Sequence, residues 1–307
     1  MESVLLTGAA GFVGAALSRR LVADGVRVIG VDDLSTGKLE NVPSEVEFIQ
    51  GDVADQRTIE QLPSTVSAVF HLAGQSSGEI SFDDPVGDLQ RNVVTTLRLI
   101  EWCADHEAPR LVLASSMSVY GQQDDPMRVA ESSATRPLSC YGVGKLAAEH
   151  YLHVYRDRVP SVALRMFNTY GPGQDLDNLR QGMVSIFVAQ AVREGRILVK
   201  GSLDRFRDLV HIDDMVEAWV RAGREGNAVG RVLNVGSGVR TSVAELTSLI
   251  AAAVGGCPIE TTGGTPGDQF GITASTDLLR ATLGFVPGLK VSEGVPNFVE
   301  WATQALQ

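Results

Sequence analysis

The sequence predicts an α/β protein: a doubly wound parallel sheet followed by a smaller C-terminal lobe. Three observations carry the prediction. Short apolar runs alternate with amphipathic helical patterns through the first half of the chain. The first run leads directly into a turn with glycines at positions 8, 11 and 14. After residue 168 the alternation loosens, and a Gly- and Pro-marked loop, "NTYGPGQDLDN", opens a less regular half. The expected division is therefore 1–168 and 169–307, with the second part partly interleaved with the first.

Taken in order, "VLLTG" (4–8), "VRVIGVD" (26–32), "VEFIQGD" (46–52), "AVFHLAG" (68–74), "RLVLASS" (110–116) and "SVALRMF" (161–167) read as buried strands. Each is too short for a helix and rich in β-branched residues or Leu. The segments 12–23, 86–104 and 141–155 carry apolar residues three and four apart, the spacing of one helical face. Strand alternating with helix implies parallel pairing with both faces covered. In the second half "VSIFVAQAVREG", "DDMVEAWVRAGRE" and "SVAELTSLIAAAV" read as helices, and "ILVKG" and "RVLNVGS" as strands. The Gly/Pro/Thr-rich "GGCPIETTGGTPGD" reads as a break before short final helices. This lobe is expected to cap the C-terminal edge of the sheet, where ligands of doubly wound folds bind.

Composition narrows the function. The 307 residues carry 37 acidic and 26 basic side chains, a net charge of −11, which disfavours a general nucleic-acid binder. The three cysteines, Cys103, Cys140 and Cys257, offer neither a disulfide framework nor metal-ligand spacing, so no metal is expected. The N-terminus lacks the pattern of a signal peptide, and no apolar stretch reaches membrane-spanning length. The expectation is a protein of a reducing cytoplasm with no membrane contact.

Gly8, Gly11 and Gly14 follow the first strand and precede a helix. Glycines there allow a tight turn and close approach of backbone to a pyrophosphate lying on the helix N-terminus. Asp32 ends the second strand, where a carboxylate can accept both hydroxyls of an adenosine ribose and would repel a 2′-phosphate. NAD is therefore expected rather than NADP. Asp52 and Val53, after the third strand, fall near the expected adenine; Asp52 also suits a helix cap for "ADQRTIEQL".

Tyr141 and Lys145, in "SCYGVGKLAAEH", are four residues apart on one helix and share a face. A phenol is ordinarily a poor base at neutral pH. A nearby ammonium, together with a cationic nicotinamide, favours the phenolate. Such a Tyr can take a hydroxyl proton while hydride leaves the same carbon. Ser116, 25 residues earlier at the end of the fifth strand, can hold the reacting oxygen.

The motifs "TGAAGFVG", "VDDLSTG", "GDVAD", "HLAGQSS", "SSMSVYG", "YGVGK", "RMFNTYGPGQ", "RDLVHIDD" and "NVGSG" run through nearly the whole chain. Together they resemble the extended short-chain dehydrogenases/reductases of the NAD-dependent nucleotide-sugar epimerase/dehydratase family. The resemblance implies a Rossmann-type sheet, tightly bound NAD recycled within each turnover, and a nucleoside-diphosphate sugar substrate. It implies a catalytic set of Ser116, Tyr141 and Lys145. It places Gly8, Gly11, Phe12, Val13, Gly14, Asp32, Asp33, Ser35, Asp52, Val53, Leu72, Ala73, Gly74, Gln75, Asn92 and Phe167 on the cofactor, with Tyr141 and Lys145 also touching it. It places Gln75, Ser76, Ser116, Met117, Asn168, Arg207 and Asp268 on the substrate. Thr265 stands where many relatives carry a diphosphate-binding Arg, which leaves more of that charge to Arg207, or to Lys200 and Arg205. Arg165 reads as structural, and His211 as a loop or core residue. Relatives pair as homodimers through helices corresponding to 86–104 and 141–155.

Oxidation at the sugar C4 is the implied first step. Common 4,6-dehydratases carry Asp and Glu directly after the Ser; here those positions are Met117 and Ser118, so that reaction is disfavoured. Cys140 replaces the usual Pro before the Tyr, and Glu79 follows the fourth strand; each is a candidate acid/base or a packing or loop residue. The stretch "QGMVSIFVAQAVREGRILVKGSLDRFRD" resembles the hexosamine 5,6-dehydratase of tunicamycin biosynthesis. The leading expectation is accordingly 5,6-dehydration of UDP-N-acetylglucosamine to an exocyclic alkene, with UDP-hexose or UDP-hexosamine 4-epimerisation as the alternative. A non-catalytic NAD-binding module is a third reading, opposed by the intact Ser–Tyr–Lys set.

Overall fold

The computed structural model describes residues 2–106, 110–123, 128–264 and 270–306. In chain order the first half comprises β1 (Ser3–Thr7), α1 (Phe12–Ala23), β2 (Arg27–Asp32), β3 (Glu47–Gln50), α2 (Gln56–Ile59), β4 (Ala68–His71), α3 (Pro85–Leu89), α4 (Thr95–Asp105), β5 (Leu111–Ser116), α5 (Cys140–Val154) and β6 (Ser161–Met166). The second half comprises β7 (Asn168–Tyr170), α6 (Met183–Glu194), β8 (Ile197–Lys200), β9 (Phe206–Arg207), β10 (Leu209–His211), α7 (Ile212–Arg224), β11 (Arg231–Val235), β12 (Thr241–Ser242), α8 (Val243–Ala253), β13 (Ile259–Thr262), α9 (Asp277–Leu283) and α10 (Val291–Ala305).

Seven strands form one parallel sheet in the order β3-β2-β1-β4-β5-β6-β11. The Rossmann-type α/β class predicted from the alternation is the observed one. Strand periodicity splits β1 between two cores: Val4 and Leu6 join the core that includes α1 and α7, and Leu5 joins the opposite one, with α4 and α5. β11 comes from the second half of the chain and closes the sheet beyond β6. A third core, built from α6, α8, α10 and β8, fills the smaller lobe.

Order reverses between β1 and β4, where the chain leaves the sheet centre on opposite sides. Such a switch point opens a crevice at the C-terminal strand ends. Both the glycine turn after β1 and the segment 72–74 after β4 lie there. A second feature sits on α3 and α4. They form one continuous helical run interrupted by a π turn at Gln90–Val94, a local widening often found at functional sites.

Three elements differ from the sequence reading. The third strand is an edge strand, with Glu47 and Gln50 exposed, rather than a buried one. The Gly/Pro/Thr-rich stretch contains β13, which pairs in parallel with β8. The last helix is long: α10 has 15 residues and carries Pro296 within it.

Candidate active site

The site begins with a helix end left open. Gly11 stands at the N-cap of α1 and offers no side-chain cap, and the first turn holds no acid, so the helix end is open to an anion. Gly8 has φ +75°, and a Cβ there would lie 2.7 Å from the Ala73 nitrogen and 2.8 Å from the Leu72 carbonyl carbon. A Cβ on Gly14 would overlap the Gly8 carbonyl oxygen. Side chains at these two positions would collide with backbone, so glycine lets the turn pack tightly against α1 and the segment after β4; at Gly11, by contrast, a Cβ would meet only the Gly8 carbonyl oxygen, at 3.4 Å, and the backbone there is open to an anion.

Asp32 is buried at the end of β2 and accepts from the Ala10 nitrogen at 3.0 Å and the Leu34 nitrogen at 2.9 Å. Burial pushes its carboxyl above the usual range, and the two amide bonds oppose that shift. It therefore braces the glycine turn. Asp33 is exposed and holds Ser35 through both its amide and hydroxyl. Phe12 and Val13 lie half-buried in the first turn of α1. Asp52 is exposed and accepts from the Ala54 nitrogen, Val53 is buried, and the cap of α2 is Asp55 rather than Asp52.

On the other wall, Thr7 organises the turn after β4. Its hydroxyl bonds His71 Nδ1 at 2.7 Å and accepts from the Ala73 nitrogen at 3.2 Å, while its carbonyl accepts from the Leu72 nitrogen. A Cβ on Gly74 would stand 2.6 Å from Asn92 Oδ1 and 3.3 Å from Lys145 Nζ. The π turn thus aims Asn92 at the Gly74 backbone, and Lys145 reaches the same point from α5.

Ser139 caps α5 by accepting from the Gly142 nitrogen, which places Cys140 and Tyr141 in its first turn. Ser116 ends β5 beside the Tyr141 phenol, whose charged form it favours; it donates to Ser118 Oγ at 3.2 Å and accepts from the Ser118 nitrogen. Lys145 Nζ lies 5.7 Å from the centre of the Tyr141 ring. All three side chains are buried. Burial pushes the Tyr141 phenol up to about 12, with Ser116 opposing, and brings the Lys145 ammonium down to about 8, with Asp88 opposing. The trio can hold a hydroxyl between Ser116 and Tyr141 and pass its proton to the phenol oxygen, with a cation beside it.

The substrate-side residues fall in two groups. Gln75 clamps Ser77, giving its amide to the Ser77 carbonyl at 2.7 Å and accepting from the Ser77 nitrogen. Ser76 accepts from Gln181 Nε2 at 2.7 Å. Asn168 donates to the Asp208 carbonyl and approaches Met117 Sδ at 3.5 Å, and Phe167 is buried beside it. Phe167 and Asn168 thus stand beside Met117, the residue after Ser116. Farther into the small lobe, Arg205 and Arg207 are buried close enough for each charge to act on the other. Burial, then Arg205, brings Arg207 down to about 10. Arg207 donates to the Phe206 carbonyl. Its neighbour Asp208 is committed to Ser237, Gly238 and Ala274, so no surface pair forms between them. Lys200 is exposed, and its carbonyl accepts from Arg205. Thr265 and Asp268 lie outside the described residues.

The structure brings Ser116, Tyr141, Lys145, Gly74 and Asn92 together. It sets Glu79 apart, exposed and paired with Arg180 at 3.0 Å. Cys140 is half-buried at the start of α5. Arg165 is structural, in a buried pair with Glu149 at 2.7 Å and over the Tyr120 ring, and His211 is a buried cap on α7. Sequence reasoning missed Arg180, which crosses from the small lobe to Glu79 and Asp83, and Asp88, whose burial beside Lys145 only the helix packing reveals. Among the described residues no cluster suits a metal, and no helix is long and apolar enough to cross a membrane.

Comparison with known proteins agrees with this geometry. The model of the NAD dependent epimerase/dehydratase family matches residues 4–236. A UDP-glucose 4-epimerase of Mycolicibacterium smegmatis is 38% identical over 97% of both chains. The solved structure of a UDP-glucose 4-epimerase of Thermotoga maritima superposes with a TM-score of 0.95 at 30% identity, covering 99% of this chain and 100% of that one. An NDP-hexosamine 5,6-dehydratase of tunicamycin biosynthesis superposes with a TM-score of 0.88 at 28% identity, covering 99% and 98%. An open glycine cradle at the switch point and this breadth of likeness lead to one conclusion: the chain belongs to the NAD-dependent epimerase/dehydratase family of enzymes, and NAD is its cofactor.

Proposed function

We propose that the protein is a UDP-hexose 4-epimerase working as a homodimer. The observation that carries this reading is a Ser–Tyr–Lys set whose Ser116 is followed by no acid. The two residues after Ser116 are Met117 and Ser118, and Glu79 is drawn off by Arg180. Among the described residues, then, Tyr141 is the proton acceptor next to Ser116, which suffices for oxidation and reduction at one carbon. The kinship to UDP-glucose 4-epimerases supports the same outcome.

Bound NAD⁺ supplies reversible hydride acceptance and a positive charge near the phenol. Ser116 holds the sugar 4-oxygen, and Tyr141 takes its proton and later returns it. Lys145 holds the phenolate charge. Arg207 and Arg205 suit a diphosphate in the small lobe. Turning of the 4-keto sugar before it is reduced inverts C4. Both forms of the sugar are at the same oxidation level, so the cofactor stays bound.

A second reading, 5,6-dehydration of UDP-N-acetylglucosamine, has its own support. Cys140, a thiol one residue before Tyr141, is a candidate acid/base, and the tunicamycin dehydratase is a close structural neighbour. Proton NMR of UDP-glucose and UDP-N-acetylglucosamine with the purified enzyme in D₂O separates the two. Altered H4 couplings without deuterium at C5 are expected. Alkene signals with loss of the C6 hydroxyl would replace the epimerase reading with the dehydratase one.

The homodimer rests on an apolar face. Val86 and Leu89 of α3 and Val143 and Val154 of α5 are each more than half exposed, with Tyr151 between. α3 and α5 pack on one another, so these residues lie on the outer faces of two adjoining helices, which suits a second copy.

A further inference from the structure

Asp88 is buried on α3, one turn before Asn92. Asn92 Nδ2 donates to Asp88 Oδ1 at 3.2 Å, but Asp88 Oδ2 and Asn92 Oδ1 are buried without hydrogen-bond partners. A buried, half-unsatisfied carboxylate is costly unless a charge nearby repays it. The nearby charge is Lys145. Gly144, next to that lysine, lies at the seam between the helices: a Cβ there would sit 3.3 Å from Asn92 Cβ and 3.5 Å from Asp88 Oδ2. The helices thus approach closely at Gly144, which brings the carboxylate up to the lysine's own turn.

We propose that Asp88 is a positioning residue for the Tyr141–Lys145 pair: tied to Asn92 and set against α5 at Gly144, its carboxylate opposes the loss of the lysine proton that burial favours, and in the NAD-loaded enzyme, with a cation beside the phenol, it keeps the pair's shared proton on the lysine. The proposal rests on Tyr141 and Lys145 being the acid–base pair. A pair of this kind can lose its first proton from either partner. Loss from Lys145 leaves a useless phenol beside a neutral amine; loss from Tyr141 gives the phenolate that catalysis needs. The Asp88 carboxylate acts on both groups, favouring the ammonium and opposing the phenolate, and the second outcome requires its hold on the ammonium to be the stronger. Other charged groups do not take this role. His71, facing Lys145 from β4, is held neutral by burial, with its pKa pushed down to about 3. Arg91 and Asp84, which also act on Asp88, lie on its own helical run and oppose each other.

Removing the carboxylate acts on Tyr141 in two ways. Losing a like charge favours the phenolate directly. Losing the proton from Lys145 removes the cation 5.7 Å from the ring and disfavours it. The proposal requires the second effect to win. The test is phenolate difference absorbance against pH for the NAD-loaded wild type, D88N, D88A and Y141F, with NAD content and thermal melting confirming folding. In the wild type, a phenolate step absent from Y141F is expected. In D88N and D88A alike, that step moves to higher pH by about one unit. A step that stays or moves to lower pH in D88N overturns the proposal. So does a D88N curve matching wild type with only D88A altered, because D88N keeps the volume and the Asn92 hydrogen bond and loses only charge. Wild-type and Y141F curves that coincide would instead overturn the acid–base reading itself.

Discussion

Lys145 is buried with its ammonium brought down to about 8 by desolvation. Between that pH and the ordinary lysine range the unfolded chain binds more protons than the folded one, so this group makes stability rise with pH there. Below about 8 the folded protein carries the whole penalty of a desolvated ammonium. Removing the ammonium alone strands Asp88, so at pH 7 K145M should abolish turnover without stabilising the NAD-free protein, whereas K145M combined with D88N removes both buried charges and should be more stable than K145M by on the order of 1–3 kcal/mol. Urea melts of the wild type and the two variants check it; a double variant no more stable than K145M would mean that the carboxylate is not stranded. Y141F should keep NAD and thermal stability and lose about 10²–10⁴-fold in turnover, measured as epimerisation rate. The buried Arg165–Glu149 pair works in the opposite sense. R165A strands a carboxylate that is 4% exposed, and a loss of about 3–5 kcal/mol is expected in the same melts.

At the scale of elements, backbone shape decides what binds. G14A would press a methyl group onto the Gly8 carbonyl oxygen, so the turn must widen and lose its fit to a pyrophosphate. The expected result is protein purified without bound NAD and with a lower melting temperature; G14A that retains NAD in full would place the pyrophosphate elsewhere. The glycine cradle was legible because its spacing sits between a strand and a helix that are themselves legible: apolar runs such as Val4–Leu6 have no alternative to burial. Tyr141 and Lys145 were legible because four residues on a helix fix their relation. Asp88 was not, because a carboxylate in "PVGDLQRN" reads as a solvated helix charge, and its burial depends on Gly144 from a distant segment. The π turn at Gln90–Val94 leaves no pattern in composition either. α10 is longer than the short helices expected at this end of the chain: Gly294 and Pro296 fall inside it, yet Val295, Phe298, Val299 and Ala302 bury a full face in the lobe core, and that packing overrides the local breakers.

For the molecule as a whole, the exposed apolar face on α3 and α5 and the catalytic groups are opposite sides of the same helices. Lys145 and Tyr141 point inward from α5, and Val143 and Val154 point out from it. Asp88 and Asn92 point inward from the α3 run, and Val86 and Leu89 point out. Covering the outer faces with a second copy would therefore clamp together the two helices whose seam, at Gly144, sets the distance from Asp88 to Lys145. V143D puts a charge at the centre of that patch without touching a buried group. The expected outcome is a shift from dimer to monomer in light scattering after size exclusion, with NAD still bound. Turnover of the monomer should fall several-fold with little change in KM, because the seam loosens while the diphosphate site in the small lobe is untouched. A wild-type protein that scatters as a monomer at micromolar concentration would remove the dimer from this account and leave the patch to another partner.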